Sequence, residues 1–80
     1  MEILAQRLKT LMEKYGVDEK KLSKEADIHI HLIRGILNER YLPSIRVVIK
    51  LSLYFSCTVD YLIGLSKIED EFGKFKKVKK

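Results

Sequence analysis

Eighty residues with a net charge of +5, 46% apolar and 34% charged, make one small folded domain and are too few for two. No apolar run approaches the roughly 18 residues of a membrane span, and the N-terminus lacks the charged-then-apolar pattern of an export signal. A single cysteine excludes an internal disulfide and stands at no metal-ligand spacing, so an intracellular, cytoplasmic protein is expected.

A first helix is predicted over 2–15. Leu4, Leu8, Leu11 and Tyr15 recur at helical spacing, with Ala5 and Met12 widening the stripe and Arg7, Lys9, Glu13 and Lys14 on the other side. Gly16 closes it, because glycine enters the left-handed conformation that a helix end needs. Asp18 caps a short second helix over 19–26, and Glu19 adds a negative charge near the positive end of its dipole. Leu22 and Ala26, four apart, share its inner face, while Lys20, Lys21 and Lys24 point out. Asp27 falls where the chain turns sharply, and Asp tolerates positive φ better than most residues.

A third helix is predicted over 29–38. With Ile33 facing the core and about 100° per residue, Ile36, Leu37 and His29 lie within about 60° of the core direction. His31, Gly35 and Asn38 point nearly opposite, with Arg34 and Leu32 on the flanks. His29 is a poor N-cap. Gly35 weakens the helix by roughly 1 kcal/mol relative to Ala, although it would let a partner approach closely.

The loop over 39–43 carries Arg40 and Tyr41. Pro43 and Ser44 open a fourth helix over 45–55, with Ser44 as N-cap. Ile45, Val48, Leu51, Ser52 and Phe55 form its expected core stripe. Leu53 lies on the outer side with Arg46 and Lys50, and Val47 and Leu53 together suggest a partner surface. Cys57 reads as a buried structural thiol, since such a cysteine behaves as a small hydrophobe. Thr58 caps a fifth helix, Asp60 lies in its first turn, Tyr61, Leu62 and Leu65 supply the last core contacts, and Gly64 marks its end. The segment 66–72 would add one amphipathic turn through Ile68 and Phe72. The folded domain is thus expected over 1–72, followed by a basic, disordered tail over 73–80.

Charge is distributed unevenly. Five of the 16 basic residues stand in the tail, leaving 11 basic against 11 acidic elsewhere. Between 28 and 59 Arg34, Arg40, Arg46 and Lys50 face Glu39 alone, so the middle of the chain carries local positive charge. The tail could add nonspecific phosphate affinity or simply aid solubility. No repeat, Gly-rich phosphate loop or catalytic constellation is visible, so no enzymatic activity is expected. His29 and His31 do not make a metal site: residues two apart on a helix diverge and no third ligand is near.

The segments RLKTL, YGV, the Leu22–Ala26 face, the Ile28 and Ile33 pair, LPSI, VIKL and TVDYLIGL occur in an order and spacing that resembles the helix-turn-helix domain of the phage-repressor (Cro-like, XRE) family. The resemblance runs without a gap from about 6 to 65. It implies an all-α, compact five-helix bundle of the lambda-repressor-like kind, acting as a sequence-specific regulator of transcription on double-stranded DNA, with no cofactor, small-molecule ligand or membrane.

In such a domain the third helix is the reader, and residues near its start meet base edges in the major groove. Ile30, His31, Arg34 and Gly35 are the expected base contacts. Arg pairs well with guanine O6 and N7, and Ile30 or Leu32 could meet a thymine methyl. The resemblance lays the following loop along the DNA backbone, making His29, Asn38, Arg40, Tyr41, Ser44 and Arg46 the expected phosphate contacts. For Tyr41 the alternative is packing over the loop.

At Glu19 the family usually has a Gln that contacts a phosphate. Glu cannot donate that bond, and its charge repels phosphate. A homodimer is expected through Leu53, Tyr61, Ile68 and Phe72, because two half-sites multiply specificity. The alternative is a protein-interaction module, an antirepressor or mixed-dimer partner, that kept the fold but lost most DNA readout. Glu19, Leu32 and Gly35 favour it; the cations at Arg34, Arg40, Arg46 and Lys50 favour DNA.

Overall fold

The computed structural model describes residues 2–65. Five helices follow one another with no strand among the described residues: α1 (Glu2–Tyr15), α2 (Glu19–Ala26), α3 (Ile30–Leu37), α4 (Ile45–Phe55) and α5 (Val59–Ile63). The expected all-α, five-helix bundle is what forms. α1 packs on α3 and α5, α2 on α3 and α4, and α4 on α5. Leu4, Leu8, Leu11, Leu22, Ile33, Ile36, Leu51, Cys57 and Leu62 are fully buried where these helices meet. No helix among the described residues is long and apolar enough to cross a membrane.

Local chemistry sets the helix boundaries. Asp18 Oδ1 accepts the Lys21 N–H at 2.8 Å, Ser44 Oγ that of Val47 at 3.4 Å, and Thr58 Oγ1 that of Tyr61 at 3.0 Å. Each therefore satisfies a first-turn donor that the helix itself cannot pair. At the other end the five helices share one device. A residue at positive φ follows the last turn: Gly16 (65°), Asp27 (58°), Glu39 (60°), Ser56 (55°) and Gly64 (92°). The next residue then donates to the carbonyl five positions back: Val17 to Met12 at 2.9 Å, Ile28 to Ser23 at 3.2 Å, Arg40 to Gly35 at 2.8 Å, Cys57 to Ser52 at 2.9 Å and Leu65 to Asp60 at 2.8 Å. This is the Schellman closure. Val17, Ile28 and Cys57 are buried, so these closures also turn a small hydrophobe into the core. The expected burial of Cys57 has this local cause.

Several expectations need correction. Ile45, assigned to the core, is exposed, and Val47, assigned to a partner surface, is buried. α4 packs against both α2 and α5, so its inner face is broad and centres on Val47, Val48, Leu51, Ser52 and Phe55. Ile45 lies ahead of that contact, in the first turn after Ser44. Tyr15 is half-exposed rather than central, its ring stacked on Phe55 at 5.9 Å. Leu65 follows Gly64 out of the bundle and is exposed.

Tyr61, assigned both to the core and to a dimer face, is only 9% exposed, as the core assignment requires. The Arg7 guanidinium lies 4.3 Å over its ring and donates to its carbonyl at 2.6 Å. Arg7, expected on a solvated face, thus bridges α1 to α5.

Candidate functional site

The turn between α2 and α3 is three residues long, Asp27, Ile28 and His29. Three interactions lock it. Asp27 takes the left-handed conformation, Ser23 Oγ donates to the Ile28 carbonyl at 2.6 Å, and Lys50 Nζ donates to the Asp27 carbonyl at 2.9 Å. Lys50 also lies 3.6 Å from Asp27 Oδ2. A cation at a helix C-terminus meets the negative end of its dipole, so Lys50 holds α2 rather than contributing to an outward positive surface. Buried Ile28 and Ile33 then anchor α3 from inside.

α3 itself is one residue shorter at each end than expected, because His29 and Asn38 are its caps. His29 Nδ1 accepts the His31 N–H at 3.2 Å, so the imidazole does serve as an N-cap. The His29 and His31 rings stack 5.0 Å apart. Among the described residues no group of three or more His, Cys, Asp or Glu could hold a metal ion.

His31, Arg34 and Asn38 are all exposed, His31 and Asn38 on the outward side that helical geometry assigns to them and Arg34 on its flank. Ile30 is half-buried. Leu32, placed on a flank, is half-buried against the core and is less available to a partner than the sequence suggested.

Gly35 does not lie open. A Cβ built on it would meet Tyr41 Cβ at 2.9 Å, so the loop after α3 folds back onto this glycine. Of the two readings of Tyr41, packing over the loop is the one seen: it is half-buried against the core. Gly35 is the gap that the Tyr41 side chain needs.

The electrostatics turn on Glu19. Its Oε1 accepts the Arg34 Nε–H at 2.8 Å, tying the first residue of α2 to the middle of α3 across an open groove. Met12, Asp18, Glu19, Lys20 and Arg34 line this groove, about 480 Å³ in volume. Both side chains are close to half exposed, 46% for Arg34 and 39% for Glu19, so the pair contributes only about 0.2–1 kcal/mol to the fold.

Of the four cations between 28 and 59, two are therefore matched by acids from α2 and its turn. Arg40 and Arg46, both exposed, form no ion pair with another described residue. They flank exposed Ser44, whose hydroxyl is engaged as the α4 cap.

Leu53 is 67% exposed, and Leu42, Ile45 and Ile49 join it. Positions 45, 49 and 53 recur every four residues, so they form one apolar stripe along α4. Of the remaining expected interface residues, Ile68 and Phe72 lie outside the described residues, as does the basic segment 73–80.

Two determinants of the site escaped the sequence reading. Glu19 was visible as an acid in an unusual place, but its partner lies 15 positions away and emerges only when α2 and α3 are packed. Lys50 lacked any local signal, because its acceptor is a carbonyl 23 positions back.

No family model, no curated protein and no solved structure matches the chain.

Proposed function

We propose that the chain is a sequence-specific DNA-binding regulator of transcription that lays α3 in the major groove. One observation carries this reading: α3 holds His31, Arg34 and Asn38 outward on a locked three-residue turn, and the chain that follows exposes Arg40 and Arg46, which form no ion pair with another described residue. A short helix presented on a rigid support, followed in the chain by exposed basic residues, has the shape and charge that a duplex groove requires.

In this role Arg34 and His31 address base edges, with Ile30 at the helix start. Arg40 and Arg46, with His29, Asn38 and Ser44, lie along the backbone phosphates. Gly35 contributes by admitting Tyr41, which fixes the loop bearing Arg40. The protein would act by occupying an operator, as a homodimer spanning two half-sites. Its second copy would sit on the α4 stripe that includes Leu53; Tyr61, already buried, takes no part.

A second reading, a protein-interaction module, is favoured by that same stripe and by the Glu19 carboxylate beside Arg34. Selecting bound fragments from random duplex DNA separates the two. A regulator enriches a defined motif, and Arg34→Ala then weakens binding to it by about 1–3 kcal/mol while relaxing preference at one base pair. A selection that enriches no motif overturns the regulator.

A further inference from the structure

Given the duplex-binding role, on which this inference rests, we infer that Glu19 is a positioning residue that makes Arg34 a reader of guanine. A guanidinium has five N–H donors and no acceptor, while a carboxylate only accepts. The 2.8 Å bond uses the Arg34 Nε–H, the donor nearest the chain. The two terminal nitrogens make no hydrogen bond to another described residue, and one N–H from each forms the end-on fork, directed away from the chain.

A fork of two donors needs two neighbouring acceptors. In the major groove guanine shows O6 and N7 side by side. Adenine shows an acceptor next to a donor, thymine one acceptor and a methyl, and cytosine a donor. With Nε engaged, the end-on approach to guanine is the geometry left to Arg34.

The support is rigid at both ends. Glu19 opens α2 directly after the Asp18 cap, and Arg34 stands on α3 behind the locked turn. A long side chain already held by its inner nitrogen also has less freedom to lose on binding. The pair is weak while half exposed to water, and it strengthens once a duplex covers the groove.

The same carboxylate repels backbone phosphates. Glu19 therefore lowers affinity for any duplex while sharpening the choice of base. Opposite signs for those two quantities distinguish positioning from a purely structural role.

The test uses the full chain and duplexes differing only at the base pair that Arg34 addresses, with random-sequence duplex as reference. Glu19→Ala is expected to cut the preference for guanine about tenfold, within the range of one bidentate contact, while tightening binding to random duplex. Glu19→Gln, whose amide oxygen still accepts the Nε–H, should keep the preference within about twofold and also tighten random binding. In an Arg34→Ala background, Glu19→Ala should leave base preference unchanged.

Glu19→Ala retaining or increasing the preference for guanine would overturn the inference, the latter outcome meaning that Glu19 masks Arg34. So would an effect on base choice that persists without Arg34. If the parent binds no duplex at low salt, the DNA reading itself has failed, a result recognisable before any variant is made.

Discussion

Gly35→Ala sets two structural effects against each other, and the structure says which prevails. In an ordinary helix interior, alanine is favoured over glycine by about 0.8–1.0 kcal/mol. Here the new methyl would meet Tyr41 Cβ at 2.9 Å, closer than two carbons can approach. Tyr41 Cβ is attached directly to the backbone, so no rotamer change moves it aside. The loop must shift, and overpacking of this kind costs about 1–3 kcal/mol. The net expectation is a loss of about 1 kcal/mol, opposite in sign to helix propensity alone.

Removing the obstacle should reverse the sign. In a Tyr41→Gly background, Gly35→Ala should stabilise by about 1 kcal/mol, giving a coupling of about 2 kcal/mol between the two positions. Urea unfolding of the four proteins, followed by far-ultraviolet circular dichroism, measures every corner of the cycle. Gly35→Ala stabilising the parent, or acting equally in both backgrounds, would refute the seating of the loop on α3. It would then also remove the reason for treating Arg40 as fixed beside the helix.

Glu39 holds the left-handed position after α3 with φ of 60°, which glycine adopts without steric cost. Glu39→Gly should raise stability by about 0.5–1 kcal/mol, the left-handed cost less the extra freedom of glycine when unfolded, and thermal melts check it. It should also tighten binding to random duplex, because an acid leaves the cationic loop. Tyr54 donates its hydroxyl to the Glu25 carboxylate, and this bond, followed by burial and the adjacent negative charge, raises its pKa above the ordinary value of 10.0. The contact therefore contributes stability in full below the ordinary phenol value and loses it as pH rises through the raised one. An ultraviolet titration should show a late-ionising phenol that Tyr54→Phe abolishes.

The fold was legible where the rules are local. Asp18, Ser44 and Thr58 cap their helices as the sequence suggests, and Asp27 takes the positive φ predicted for it. The outward side of α3 followed from spacing alone, because Ile33 and Ile36 fix its inner side. Positions that depend on how two elements meet were not legible. Val47 and Ile45 exchanged places because α4 is covered by two helices at once. Tyr61 is buried as its assignment to the core expected, but the Arg7 guanidinium that covers its ring and keeps it from a dimer face left no local signal. Gly35 looked open in a helical projection, which cannot show a loop folding back. For Arg34, exposure could be predicted, but not that a carboxylate from another helix occupies one of its nitrogens.

Binding of the parent protein to random-sequence duplex across a salt series tests the central claim most directly. If Arg40 and Arg46 each neutralise a phosphate, log affinity should fall linearly with log salt, at a slope of about −2 per protomer or steeper. Binding that ignores salt, or no binding at the lowest salt, would contradict it.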